Sequence, residues 1–245
     1  MRGMLPTLIN ERWTLILPEH RHNRDSWATW EKERLASMAE RIGPGDVVFD
    51  IGAEEGDFPA LWSSWGADVV LFEPNPRVWP NIRVIWLAND LPAPLGWYVG
   101  FASDEIDHHP RNCDIDPGER DGWPLCAHGP VIGNHAFRHL AEQSDTTPQT
   151  TLDAWCAEND IYPTVITIDV EGSEFRVLKG ARQVLTERHP TVFVSIHTDE
   201  VWMDTRYDHV RESDVTAYME SLGYVGEHLI TDHEMHMRYE YVGRA

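Results

Sequence analysis

Basic residues are scarce: 20 Lys and Arg stand against 41 Asp and Glu in a chain of 245 residues, a formal charge of −21. Such a surface repels phosphate backbones and anionic lipid, so neither nucleic acid nor a membrane is an expected partner. Cysteine is scarcer still. Cys113, Cys126 and Cys156 are odd in number and have no C-x-x-C spacing, which argues against a disulfide framework or a zinc knuckle and fits a reducing compartment, with cytoplasm the expected location. Long apolar runs are missing too: Trp13–Leu17 follows charged Glu11 and Arg12 and is far too short to span a bilayer. No Gly-x-x-x-x-Gly-Lys-Ser/Thr segment is present, which weakens an NTPase reading, and there is no internal repeat or low-complexity tail. The length suits one α/β domain with a full core.

What the chain does have is centred on Val47–Phe58, a buried apolar strand ending in Asp50, then a turn with Gly52 and Gly56, then a helical stretch holding Phe58, Leu61 and Trp62. Only glycine lets a ligand press against the backbone of such a turn, and the helix start offers unpaired N–H groups. Upstream, a strand over 11–18 precedes a helix capped by Asp25 or Ser26, with Trp27, Trp30, Leu35, Met38 and Ile42 at a period near 3.6. Downstream, a helix over 57–66 leads to a second buried strand, 68–73, completing a βαβ unit. Its terminal acid, Glu73, stands about 20 residues past the first strand, where a ribose-binding acid belongs. A third strand over 97–102 ends at Ser103 and Asp104. Residues 106–150 are irregular apart from a helix expected near His135–Gln143, and read as a lid over the substrate. Regularity then returns: a helix over Leu152–Asn159, a strand over 164–169, and a helix capped by Ser173 and carrying Phe175, Leu178, Ala181 and Leu185. A strand over 191–197, a helix through Val215, Tyr218, Met219 and Leu222, and an antiparallel hairpin over 224–230 and 235–242 complete the order.

Asp50-Ile51-Gly52-Ala53-x-x-Gly56, Phe72-Glu73-Pro74-Asn75-Pro76, Thr151-Leu152-Asp153, Ile168-Asp169-Val170-Glu171-Gly172-Ser173-Glu174 and Leu178-Lys179-Gly180-Ala181 follow one another in an order that resembles the FkbM-type methyltransferases, over roughly residues 30–245. The resemblance implies a Rossmann-like α/β fold of the class I methyltransferases, a seven-stranded mostly parallel sheet with a C-terminal antiparallel hairpin. It also implies S-adenosylmethionine as cofactor and, usually, O-methylation of a small molecule or sugar. By the same resemblance Asp50, Gly52, Ala53 and Gly56 floor the methionine part of the cofactor, and Glu73 holds both ribose hydroxyls. Pro74 turns the chain beside it, Asn75 reaches ribose or adenine, and Ser103 and Asp104 face adenine. The chain departs from the family at Glu54, where Asn is usual, and Glu55 is acidic as well; two carboxylates here are expected to repel the carboxylate of the cofactor and attract its sulfonium and ammonium.

Rival readings fit less well. Gly52-x-Glu54-x-x-Asp57 breaks the dinucleotide fingerprint at two of its three glycines, and no Asn/Asp-Pro-Pro-aromatic tip of an amino-methyltransferase follows the fourth strand. Methyl transfer needs an in-line nucleophile and often a base. Asp169, Glu171 and His197, at the ends of strands four and five, are the catalytic candidates, with His197 first as base because an imidazole ordinarily titrates near working pH; in the alternative, Asp169 contacts the cofactor amine, Glu171 caps the following helix and His197 bonds the backbone. If Asp169, Glu171, His197 and Asp199 converge, they form a hard ligand set for a divalent metal. His108-His109 and His233-Glu234-Met235-His236 are read as solvated turns, Trp27, Trp30 and Trp62 as packing, and Trp123 and Trp202 as substrate walls. The reading from another class is a catalytically silent binding or scaffold protein that kept the fold.

Overall fold

The computed structural model describes residues 3–23, 26–107, 118–131, 147–197, 211–232 and 234–243. The chain opens with a hairpin of β1, Met4–Ile9, and β2, Trp13–Pro18, whose turn places Asn10 and Glu11 at left-handed φ of 47° and 56°. A short helix α1, Glu19–His22, follows. Helix α2 then runs over Lys32–Ala39, later than the expected cap at Ser26, and Asp25 lies outside the described residues. The reason is local. Trp27 donates its indole N–H to the Arg21 carbonyl at 2.7 Å, and Glu31 takes a left-handed φ of 43°, so 26–31 forms turns.

The core strands are β3, Val47–Ile51, β4, Asp68–Phe72, and β5, Gly96–Tyr98, with helix α3, Asp57–Ser64, and helix α4, Trp79–Ala88, in the crossovers. No element was expected over α4, although Val78, Ile82, Ile85 and Trp86 recur at helical spacing. The strand expected over 97–102 breaks at Gly100, where a Cβ would lie 2.5 Å from the Pro148 carbonyl oxygen. Its second part, β6, Phe101–Ala102, therefore leaves the main sheet. A small hairpin follows, β7, Glu119–Arg120, with β8, Trp123–Pro124; then β9, Gln149–Thr150, pairs parallel with β6.

Helix α5 spans Leu152–Asn159, and Thr151 caps it by accepting from the Ala154 N–H at 3.1 Å. After β10, Val165–Ile168, come α6, Glu174–Gly180, and α7, Arg182–Glu187, then β11, Thr191–Ile196, α8, Glu212–Ser221, and the hairpin of β12, Tyr224–Thr231, with β13, Met235–Tyr241. Ser173 precedes α6 but makes no side-chain cap; Glu174 accepts the Gly172 N–H at 2.9 Å instead. The seven-stranded sheet has the order β12-β13-β11-β10-β3-β4-β5, parallel except for β13.

Alternation along the apolar strands divides the core in two. Val48, Val69 and Leu71 face α3, α4 and the N-terminal hairpin, whereas Phe49, Val70 and Phe72 face α5 to α8. The sheet is thus buried on both faces, which leaves the carboxyl edge of its parallel strands as the place for a ligand. Residues 118–131 pack against α4. Trp123 is buried edge-on against Trp86, ring centres 5.8 Å apart, and is core rather than a substrate wall. The expected helix near His135–Gln143, Trp202, Asp199, His108, His109 and His233 lie outside the described residues. Among those described, no helix is long and apolar enough to cross a membrane.

Trp62 is 1% exposed in the first half-core. Trp62→Ala should cost about 3–5 kcal/mol, since both its transfer energy and a cavity term are lost. Urea unfolding checks this: the midpoint should fall with little change in slope.

Candidate active site

Strand register brings the polar tips together. Ile168 pairs with Ile51, Ile51 with Phe72, and Ile168 with Val194, so Asp169, Gly52, Glu73 and Ser195 emerge at one level of the sheet. All but Ser195 border a cavity of about 510 Å³, lined by Asp50, Gly52, Ala53, Glu54, Glu73, Pro74, Asn75 and Ser103 from the expected cofactor set, and by Asp169 and Glu171. Gly56 does not line it; at φ 89° it starts α3, with Ile82 Cγ2 only 2.8 Å from where a Cβ would sit. Gly52 is stricter. At φ 93° its Cβ would lie 1.9 Å from the Asp169 carbonyl oxygen, so no other residue fits.

Asp50 and Glu73 sit at the floor. Asp50 Oδ1 accepts from the Thr167 hydroxyl at 2.6 Å, while Oδ2 is buried without a hydrogen-bond partner among the described residues. Burial pushes its pKa up to about 7. Glu73 accepts the Asn75 N–H on Oε1 at 2.7 Å and the Glu54 N–H on Oε2 at 3.0 Å. Each oxygen keeps a further lone pair for a ligand hydroxyl. Burial first, and the nearby Glu54 and Asp50 carboxylates with it, outweigh those amides and push Glu73 up to about 8.

The acids inside the turn are matched by cations that sequence periodicity did not mark. Arg21 donates to both Glu54 oxygens at 3.0 Å and to Asp57 Oδ2 at 2.6 and 3.2 Å. Glu55 is wholly buried, where Oε2 meets His20 Nε2 at 2.5 Å and the Asn81 amide at 2.9 Å. The expected repulsion is therefore met inside the protein: Glu54 faces its own arginine, and Glu55 is turned away from the cavity.

Asp104 does not line the cavity. It pairs with Lys179 Nζ at 2.6 Å and Arg176 Nε at 2.7 Å, and against the upward push of burial these partners hold it down to about 2. Trp30 does line the cavity, together with Glu31 and Arg34, instead of serving only as packing. Arg34 pairs closely with Glu31 and reaches Asp169 Oδ2 at 3.4 Å. Its position within the apolar stripe of α2, four residues after Trp30, was the available sequence signal.

His197 does not line the cavity but stands behind it, buried among carboxylates from two segments, 169–174 and the β12–β13 turn. Nδ1 meets Glu174 Oε1 at 2.7 Å, and Nε2 faces Glu234 Oε1 at 3.1 Å, Glu171 Oε2 at 3.5 Å and Asp169 Oδ1 at 3.9 Å. Burial alone would lower its pKa, but Glu174 and Glu234 raise it to about 11, so the expectation of a base titrating near neutrality is overturned. Glu171 lines the cavity about half exposed, at a left-handed φ of 58°, and burial raises its pKa to about 7 despite His197. Asp169, His197 and Glu234 offer three ligand atoms within 4.8 Å of one another, a set sized for a metal. His236 is fully buried rather than in a solvated turn; Nδ1 meets Ser195 Oγ at 3.1 Å, and Ser195 donates to Asp169 Oδ2 at 3.1 Å.

A doubly wound sheet with a glycine turn, a ribose-type acid and an acidic cluster around one crevice defines a Rossmann-like methyltransferase architecture. The chain belongs to the FkbM methyltransferase family: the methyltransferase FkbM domain matches residues 50–225. The 2-O-methyltransferase NoeI of Sinorhizobium fredii is 27% identical over 160 residues, covering 63% of this chain and 64% of that one. The hexuronic acid methyltransferase AglP of Haloferax volcanii is 26% identical over 171 residues, 68% of this chain and 62% of that one. The chain thus matches under two thirds of the length of either relative. Among solved structures, the FkbM methyltransferase of Methylobacillus flagellatus superposes with a TM-score of 0.54 at 19% identity, covering 82% of this chain and 44% of that one. Family membership supports S-adenosylmethionine as the cofactor.

If the cofactor hydroxyls bind an ionised Glu73, binding must draw off the proton that this group, pushed up to about 8, holds at lower pH. S-adenosylmethionine affinity should therefore rise by up to about tenfold per pH unit between pH 6 and 8, then level off. Calorimetry across that range checks it, and Glu73→Gln should flatten the slope.

Proposed function

We propose that this protein transfers the methyl group of S-adenosylmethionine to a hydroxyl of a small, sugar-type acceptor. The carrying observation is one cavity that joins the Asp50–Gly52–Glu73 cradle to the Asp169–Glu171 tip. The cradle fits the cofactor: Gly52 admits close backbone approach, the orphaned Asp50 oxygen accepts a donor, and Glu73 accepts two hydroxyls. The named activities of NoeI and AglP, on a 2-O position and on a hexuronic acid, favour a hydroxyl acceptor.

Held in this cradle, S-adenosylmethionine would supply the methyl group to an acceptor oxygen placed in line, the O–CH₃ bond forming as the S–CH₃ bond breaks and its electron pair returns to sulfur. The Asp50, Glu73, Asp169 and Glu171 carboxylates around the crevice would attract its cationic sulfonium and ammonium. The hydroxyl proton passes to Glu171, because its carboxylate lines the cavity whereas both His197 nitrogens face carboxylates behind it. Asp169 sits where strand register places it against the glycine turn and orients the reacting groups.

Calorimetric titration with S-adenosylmethionine, its demethylated product and NAD tests the reading. The first two should saturate, NAD should not, and Glu73→Ala should abolish both. Absence of binding to either would refute the enzyme and leave a fold retained for another purpose. For the base, Glu171→Gln should lower turnover about 10²-fold or more while cofactor affinity stays within about twofold.

A further inference from the structure

The cluster behind the cavity is built from three separate segments. Asp169 follows β10, His197 follows β11, and Glu234 lies in the turn between β12 and β13. Glu234 belongs to a run that sequence reading placed in solvated turns, yet it is 9% exposed and lines the cavity.

We propose that Asp169, His197 and Glu234 form a divalent cation site of the Mg²⁺ or Mn²⁺ type, opening on the cavity where the acceptor hydroxyl is held. Two carboxylate oxygens and one imidazole nitrogen are a hard, mixed donor set that suits such ions. Octahedral coordination at about 2.1 Å separates neighbouring donors by about 3 Å and opposite ones by about 4.2 Å. His197 Nε2 lies 3.1 Å from Glu234 Oε1 and 3.9 Å from Asp169 Oδ1, and all three donors fall within 4.8 Å. Small side-chain rotations bring the set to that geometry.

An outer layer points the same way. A metal-bound histidine ordinarily gives its other ring N–H to a carboxylate, which fixes the tautomer and aims the ligating nitrogen. Glu174, 1% exposed and held by the Gly172 N–H at 2.9 Å, meets His197 Nδ1 at 2.7 Å and leaves Nε2 directed at the three carboxylates. Asp169 is oriented likewise: Ser195 at 3.1 Å and Arg34 at 3.4 Å both take Oδ2, so Oδ1 is the oxygen presented to His197. Arg34 is a competing positive charge offset by its close pairing with Glu31, and an ion at Nε2 would displace the proton that the surrounding carboxylates otherwise hold on His197. Three protein ligands leave coordination positions for water or the acceptor. An ion there would lower the pKa of a bound hydroxyl and fix its oxygen for attack.

This inference rests on the methyl-transfer reading for its purpose, but its test does not. Mn²⁺ is titrated into the full chain at 0.1 M salt without cofactor, free ion being followed by its electron spin resonance signal, and S-adenosylmethionine binding is measured separately. One Mn²⁺ should bind per chain. Glu234→Gln and Asp169→Asn should each weaken it at least tenfold, and Glu174→Gln by about 10–100-fold through the tilted ring, while S-adenosylmethionine binding by Glu234→Gln shows an intact fold. Uptake unchanged in these variants would assign the ion to the acidic surface and overturn the site. So would no uptake at millimolar Mn²⁺, leaving His197 as an imidazolium shared by Glu174 and Glu234.

Discussion

The approach of Gly52 to the Asp169 carbonyl is the contact on which the carboxyl edge of the sheet depends. With no Cβ at residue 52, the turn after β3 lies directly against the tip of β10, and the Asp50–Glu73 and Asp169–Glu171 groups share one crevice. Strand register carries the rest: Thr167 opposite Asp50, Ser195 beside Asp169, and His236 opposite Ser195 form a line of polar groups across the sheet. Backbone pairing thus sets which side chains meet. A slip of one residue in β10 would turn Thr167 away from Asp50 and dismantle the line.

Crowding acids at this edge creates an electrostatic problem that the fold meets with cations from separate segments. Asp50, Glu73 and Glu171 are all pushed upward by burial, so the crevice favours an arriving cation. The sulfonium and ammonium of S-adenosylmethionine meet that demand in the proposed reaction. Elsewhere the protein supplies its own charge: Arg21 for Glu54 and Asp57, Arg34 for Glu31 and Asp169, His197 for Glu174 and Glu234. Removing one such cation would leave several buried carboxylates uncompensated, a larger loss than any single pair suggests. Three glutamates at left-handed φ, Glu31, Glu54 and Glu171, line the same cavity, and strain of this kind persists where surrounding structure over-determines it.

Local rules made much of this legible. Continuous apolar strands at 47–51, 68–72, 165–168 and 191–196 are what burial on both faces demands, and the helix expected over Leu152–Asn159 has those bounds in the structure. The family pattern matched the architecture for the same reason: its glycines and acids are tied to that edge. What failed was decided by distant partners. The helix expected from Ser26 yielded to a turn bonded to Arg21, the strand over 97–102 broke where Pro148 crosses Gly100, and Trp123 was claimed by Trp86. His197 was found but misjudged, because an ordinary imidazole pKa holds only until carboxylates from other segments surround the ring.

Glu54 shows how one departure from a family pattern entails another elsewhere. An amide there needs no counter-charge; a carboxylate in the same turn does, and the N-terminal hairpin and α1 supply it through Arg21. The domain match begins at residue 50, yet Arg21, Trp30, Glu31 and Arg34 all act on the cavity or its turn from before that point. Arg21 holds Glu54 by its side chain while the Glu54 N–H binds Glu73, so the guanidinium is two hydrogen bonds from the proposed ribose acid. The N-terminal segment is therefore part of the binding site in physical terms: its charge permits Glu54, and Glu54 in turn fixes one oxygen of Glu73.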